Sequence, residues 1–317
     1  MKRIVSLMLG LVFLGGCAVA SLDDYKELIL PASPVTGAGK KNLTVIFIGV
    51  STLLFDDGET AFMTDGYFSR VAYNSLARIE PDRDRIARSL QRASVKSLAA
   101  VIPTHTHFDH ALDSPIVAQQ TGALLVGSNS TANIGRGYGF PEPRIRTVKN
   151  GESLSFGRFK VTFVTSRHLP IDFALGEITS PLSVPARASD FKMGDVYSLL
   201  VEHDGRTLLI QGGAGFTPGA LKGRKADVVY LGIGGLAERD DSYRDAYWRE
   251  IVQAVGARRV VPIHWDDFYG SLDRPLVPLP GFDRSMGFLQ ARGKKDGVDI
   301  RLQLEWTPVD PFSGLQR

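Results

Sequence analysis

Cysteine is almost absent: the chain of 317 residues holds one, Cys17. A lone thiol cannot close an internal disulfide, so this is no disulfide-stapled scaffold. The chain is long enough for a core that needs no covalent staples. An excess of one charge sign is also missing. The 37 basic and 34 acidic residues give +3, and setting Lys2 and Arg3 aside leaves about +1. That balance argues against nucleic acid or another polyanion as partner. Beyond the N-terminus there is no long hydrophobic run, and residues 4–14 are too few to span a bilayer comfortably. Repeats of solenoid length and low-complexity tracts are lacking. The glycine-rich stretch 135–140 does not have phosphate-loop spacing and reads as a turn, at the rim of a site. Lys and Arg are scattered, so no phosphate clamp is evident. What remains is soluble globular composition, 44% hydrophobic and 22% charged.

The N-terminus is informative. Two cations, an apolar run and Gly15-Gly16-Cys17 have the form of a secretory signal with a small-residue cleavage site. Leu14-Gly15-Gly16-Cys17 resembles a bacterial lipobox. The resemblance implies a signal peptide over 1–16, lipidation at Cys17, and a soluble domain tethered to a membrane surface rather than spanning it. Ala18 after the cysteine, in place of aspartate, points to the outer membrane of the cell envelope. Residues 17–42 then form the lipidated cysteine and tether, with 31–42 rich in Pro, Gly, Ala and Ser. Order is expected from Leu43, in one domain over 43–317.

Within that domain, apolar β-branched runs alternate with helix-permissive segments. A strand is expected at 43–49, and over 51–66 a pair of strands joined by a turn at Asp56-Asp57-Gly58. Others follow at 97–103, 123–127, 158–166, 195–213 (a hairpin turning at Asp204-Gly205), 226–235, 257–265 and near 298–305. Helices are expected near 82–92, 114–121, 240–255 and 284–292. Mixed strands and helices predict an α/β domain with sheets inside and helices outside. Residues 169–194 carry Pro170, Pro181 and Pro185 and no clear periodicity. That is long for a connection and reads as a functional loop, with Phe173, Leu175, Ile178 and Phe191 as candidates for an apolar lid.

Residues 104–110 read T-H-T-H-F-D-H, directly after an apolar strand, where ligands bind in layered α/β proteins. Five of the six histidines lie at three strand ends: His105, His107 and His110 here, His168 after 158–166, and His264 after 257–263. Imidazole is a good zinc ligand and a carboxylate such as Asp109 adds charge. Alternating residues at a strand end can face one way, so one short loop could serve adjacent metal positions. His203, before a hairpin turn, receives no role.

T-H-T-H-F-D-H, the upstream M-T-D-G and single histidines after two later strands resemble the metallo-β-lactamase fold superfamily. P-I-H-W at His264 is similar to the branch of ascorbate-phosphate lactonases and N-acyl-phosphatidylethanolamine phospholipases. The resemblance implies an αββα sandwich with metal at one edge. It implies His105, His107 and His168 as ligands of a first ion, and Asp109, His110 and His264 as ligands of a second. Asp65 would be a supporting residue rather than a ligand. Zinc, one or two ions, is the expected cofactor, with another divalent transition metal open. The expected activity is hydrolysis of an ester, lactone, amide or phosphodiester bond by water that Asp109 orients or deprotonates. A small-molecule or lipid-like substrate fits the lid and the tether. One position departs from the pattern: Gly213 stands where the family places an aspartate bridging both ions. Asp266, Asp267 and Asp172 are near strand ends and could substitute, although Asp266 and Asp267 also read as a solvated acidic turn. The alternative to an enzyme is a catalytically impaired metal-binding or interaction module on the same fold.

Overall fold

The computed structural model describes residues 21–33, 42–72 and 77–316. Cys17, the leader and residues 34–41 of the expected tether lie outside the described residues. Among the described residues sixteen strands are formed: β1 (Thr44–Gly49), β2 (Thr52–Asp56), β3 (Ala61–Thr64), β4 (Arg78–Ile79), β5 (Ala100–Ile102), β6 (Leu124–Gly127), β7 (Ile145–Thr147), β8 (Ser153–Phe156), β9 (Phe159–Ser166), β10 (Ala186–Arg187), β11 (Val196–His203), β12 (Arg206–Gln211), β13 (Val228–Gly232), β14 (Arg259–Ile263), β15 (Asp299–Ile300) and β16 (Pro308–Val309). Six α-helices accompany them: α1 (Arg83–Arg92), α2 (Phe108–Ala111), α3 (Ser114–Thr121), α4 (Asn129–Gly137), α5 (Asp241–Tyr247), which runs on into a π-turn, and α6 (Phe282–Asp296).

Two seven-stranded sheets make the body, in the orders β16-β1-β2-β3-β5-β6-β7 and β15-β14-β13-β12-β11-β9-β8. β5, β13 and β14 are buried on both faces, as apolar runs covered on each side should be. The sheets meet through aromatic rings. Phe55 stacks on Phe62 at 4.6 Å, Phe62 meets Phe159 edge-on at 5.1 Å, and Phe55 reaches Tyr230 at 6.5 Å. α3 and α4 cover the first sheet and α6 the second. The result is an αββα sandwich.

Topology decides where the strands end. β9 and β12 both pair antiparallel with β11, so they run the same way. β12, β13 and β14 are parallel neighbours, as are β3 and β5. The carboxyl ends of β9, β12, β13 and β14 therefore share one edge of their sheet, and those of β3 and β5 share an edge of the other.

Three expectations are corrected. Order does not wait for Leu43: residues Leu22–Leu28 form a 3₁₀ turn, and Leu30 is buried and donates its N–H to Leu302 O at 2.8 Å. The expected strand at 298–305 is two residues long. The chain then crosses to pair β16 with β1 in the other sheet. Gln303 ties that crossing, donating to Val45 O at 2.8 Å and accepting from Tyr230 Oη at 2.9 Å. The glycine-rich stretch is no turn at its start: Gly135 and Gly137 close α4. A Cβ on Gly137 would lie 2.0 Å from Leu182 O, so the glycine lets the 169–194 segment lie against the helix.

Candidate metal centre

β5 ends at Ile102 and the chain enters the histidine cluster in register set by Asp65. This residue follows β3 with φ of 53°, a conformation aspartate tolerates better than most side chains. Its N–H donates to Ile102 O at 3.1 Å, its Oδ1 accepts from Thr104 N at 2.8 Å, and its carbonyl accepts from Ser114 Oγ at 2.6 Å. Oδ2 accepts from Ser51 Oγ and, at 2.7 Å, from His110 Nδ1. A carboxylate can only accept, so His110 carries a proton on Nδ1, and Nε2 is the atom its neutral ring would offer as a ligand. His168 is fixed the same way, with Nδ1 donating to Leu169 O at 2.8 Å.

His264 leaves β14 with φ of 55° and donates its N–H to Val50 O at 2.7 Å. Val50 is held in turn: its N–H donates to Asp266 Oδ1 at 2.7 Å, and Asp266 pairs with Arg70 at 2.8 Å, both side chains fully buried. A Cβ at Gly234, after β13, would lie 2.8 Å from His264 Nδ1, so the ring needs glycine there.

These supports bring six donors together. One group is His105, His107 and His168; the other is Asp109, His110 and His264. Within each, the candidate ligand atoms all lie within 4.8 Å of one another. The rings of His105 and His110, one from each group, are 3.8 Å apart, and those of His107 and His168 are 4.7 Å apart. Asp109 Oδ2 lies 3.3 Å from His264 Nε2 and 3.5 Å from His110 Nε2. His107 Nε2, His110 Nε2 and His264 Nδ1 are buried without a hydrogen-bond partner. Buried polar atoms are nearly always paired, so the partnerless Nε2 atoms of His107 and His110 fit a site for a cation, whereas His264 Nδ1 lies against Gly234 and its Nε2 is the atom turned to Asp109. Asp65 stands behind His110 and outside both groups.

Electrostatics agree. Burial pushes His105 well below its usual range, and the neighbouring imidazoles add to this. Burial likewise brings His107 down to about 4 and lowers His168. For His110 burial is outweighed by the Asp109 and Asp65 carboxylates, and the net shift is upward. Burial opposes ionisation of Asp109, yet His110, His264 and His107 hold its pKa far down. Imidazole must be neutral to ligate, and three of the rings are kept so. A histidine neutral when folded but titrating near 6.5 when unfolded favours unfolding as pH falls through that window. Chelator-treated protein is therefore expected to lose stability between pH 6.5 and 4, by about 3 kcal/mol from His107. His105 and His168 act in the same direction and His110 against it. Urea midpoints at pH 7.5 and 5 measure this, and equal midpoints would contradict it.

Over the donors lies a cavity of about 500 Å³, with His107, Asp109, His168 and His264 on its floor. Gly213 lines it too. A Cβ there would meet only His168 Cδ2, at 3.8 Å, so the position offers room and no ligand atom. The candidates to replace it do other work. Asp266 is not solvated but clamps Val50 and Arg70. Asp267 accepts from Tyr269 N at 3.0 Å, and Asp172 is exposed. His203 is buried with Nε2 3.1 Å from Asp57 Oδ2, a carboxylate that Arg158 also pairs with, away from the donors. In the 169–194 segment Phe173 faces the cavity, Ile178 and Phe191 are buried in a small second core, and Leu175 is exposed. Sequence reasoning missed Ser51, Thr104, Gly234 and the Arg70–Asp266 clamp. Only the Gly234-Gly235 pair after a strand carried a local signal.

A family model described as a beta-lactamase superfamily domain matches residues 63–265. A UPF0173 metal-dependent hydrolase from Exiguobacterium sp. is 30% identical over 169 residues, 52% of this chain and 66% of that relative, so the chain spans just under two thirds of the relative's length. Among solved structures, Igni18, a metallo hydrolase from Ignicoccus hospitalis, superposes with a TM-score of 0.54 at 16% identity, over 84% of this chain and 97% of its own. CmlA, a diiron beta-hydroxylase from Streptomyces venezuelae, gives 0.52 at 16% identity, over 88% and 55%. At such identity these structures speak for the fold alone.

Proposed function

The chain belongs to the beta-lactamase superfamily domain family, and from that premise we propose that it is a metal-dependent hydrolase whose centre is held by His105, His107 and His168 on one side and Asp109, His110 and His264 on the other. The observation that carries this reading is the convergence of six donors, two of them with buried partnerless Nε2 atoms, four on the floor of one cavity and His105 and His110 beneath it. Zinc is the ion proposed, because the set is rich in neutral imidazole. A divalent ion held here supplies Lewis acidity to a carbonyl or phosphoryl oxygen and acidifies water, to a pKa of about 7 for zinc.

The chain's own groups do the rest. Asp65 fixes the His110 tautomer, and the Leu169 carbonyl fixes that of His168. Asp109 sits between two imidazoles with its pKa far down. A carboxylate so acidic is a poor proton store at neutral pH, so its role is to hold and orient water rather than to deprotonate it. Leu169, Phe173 and Phe268 wall the cavity and keep bulk water off the reacting bond.

The test is to strip the protein with chelator, reload it with zinc, manganese or iron(II), and assay esters, lactones, amides and phosphodiesters. The proposal expects zinc to be retained and to restore hydrolysis of at least one class. Retained metal without hydrolysis of any class would overturn the enzymatic reading, and no retained metal would overturn the centre. Gly213→Asp, for which there is room, is expected to fold normally and retain more metal per chain after the same dialysis. Unchanged retention would mean that residue 213 does not face the ions.

A further inference from the structure

We infer that the cavity admits an uncharged acyl ester or lactone whose body, beyond the reacting bond, is apolar; this rests on the hydrolase reading above. The described lining holds no Lys or Arg. Away from the donors of the floor, the wall is mostly apolar, with Ile79, Leu169, Ile171, Phe173, Phe268 and Leu279 its main side chains. A charged substituent on the substrate would lose water there without gaining an ion pair or a good hydrogen bond, which is costly. A methylene chain would gain from the same wall.

Phe173 is placed to read that chain. It is 38% exposed, unusual for so large an apolar ring, and its centroid lies 5.8 Å from that of His107. The segment carrying it is pinned just after the ring. Met193 N donates to Ala174 O at 2.8 Å, Gly194 N to Gly176 O at 2.9 Å, and Ile178 N to Ser130 Oγ at 3.0 Å. The ring is thus held at the mouth by backbone hydrogen bonds rather than by burial of its own surface. Volume agrees, since about 500 Å³ suits a small organic ligand. In the reaction, the oxygen of water bonds to the acyl carbon and the ester C–O bond breaks. One proton of that water passes to the leaving alkoxide oxygen. The products are an alcohol and a carboxylic acid, which releases its proton to solvent.

The test uses zinc-loaded protein and p-nitrophenyl acetate, butyrate and hexanoate, with mono-p-nitrophenyl adipate as a hexanoate that ends in a carboxylate. kcat/KM is expected to rise by about fourfold per added methylene. The adipate ester is expected to react at least about a hundredfold more slowly than the hexanoate. Phe173→Arg, at a partly exposed position, is expected to narrow that gap by slowing hexanoate and speeding adipate. The second readout needs no turnover: displacement of the neutral fluorophore N-phenyl-1-naphthylamine by hexanamide but not by adipamic acid, with and without metal. Equal rates across chain lengths, or adipate matching hexanoate, overturn the inference while leaving the hydrolase intact. No ester hydrolysed, with selective displacement retained, overturns the ester and supports the apolar cavity. No displacement by either amide together with flat rates overturns the inference altogether.

Discussion

Alanine at both His105 and His107 is expected to cut hydrolysis by more than about a hundredfold and to lower the metal retained per chain. A hundredfold is the upper end of the loss from removing an outer partner of a ligand, and these residues are proposed as ligands themselves. Of the first donor group only His168 would remain. The fold should survive. Both imidazoles are buried against other imidazoles, and His107 Nε2 has no partner. Removing them gives up their mutual contact at 3.2 Å, a long one from His105 to Thr104 at 3.4 Å and that of His107 with the Ala174 backbone, against which stands the relief of unfavourable desolvation. Thermal unfolding of the chelated variant is therefore expected within a few degrees of the chelated parent. Metal analysis and hydrolysis assays on the same preparation decide the matter. A variant that keeps both metal and rate would place the centre elsewhere.

Asp266→Ala is expected to produce the largest loss of stability, about 3–5 kcal/mol, because it leaves the Arg70 guanidinium buried without its carboxylate. For a chain of this size that is a fall in Tm of roughly 6–20 °C. Arg70 would keep only Asp267 O at 3.1 Å, Ile48 O at 3.5 Å and the Tyr67 ring at 5.5 Å. The effect should spread to the centre. Val50 N loses its acceptor, and Val50 O is what holds His264 N at 2.7 Å, so metal retention should weaken although Asp266 is in neither donor group. Asp266→Asn together with Arg70→Met removes both charges, keeps an acceptor for Val50, and is expected to recover much of the lost Tm. If Asp266→Ala melts with the parent, the clamp is not what holds the β1–β2 turn.

The same pair illustrates how far local reading carries. Asp266 and Asp267 follow a strand and precede an aromatic turn, which in sequence looks like any solvated acidic corner. Asp266 is instead fully buried, because its partner Arg70 lies 196 positions away. Long-range pairing of this kind leaves no mark in the residues nearby. The glycine-rich stretch misleads for a related reason: Gly135 and Gly137 read as turn residues, but they are small because Leu125 and the Leu182 backbone press against α4. The N-terminal segment misleads through its composition. Leu22–Leu30 precede a Pro- and Gly-rich linker, yet Leu30 finds a buried place beside Leu302.

What the residues determine by themselves is local chemistry and local direction. Runs such as T-V-I-F-I-G and V-V-Y-L-G must be strands buried on both faces, and each apolar run that stops at histidine delivers a donor to a strand end. Imidazole and carboxylate in that spacing favour a cation, and glycine at 213 removes one oxygen. Tertiary structure alone decides which strand ends coincide. β9 and β12 are brought into one direction only by pairing on either side of β11, and His264 faces Asp109 only because β14 runs parallel beside β13. It also decides that the cavity above the donors has apolar walls, since those side chains come from segments scattered from Val71 to Leu279. The physical reason is one and the same: strand propensity and donor chemistry act over a few neighbouring residues, whereas hydrogen-bonded register and burial are settled between segments that only the folded sheets make adjacent.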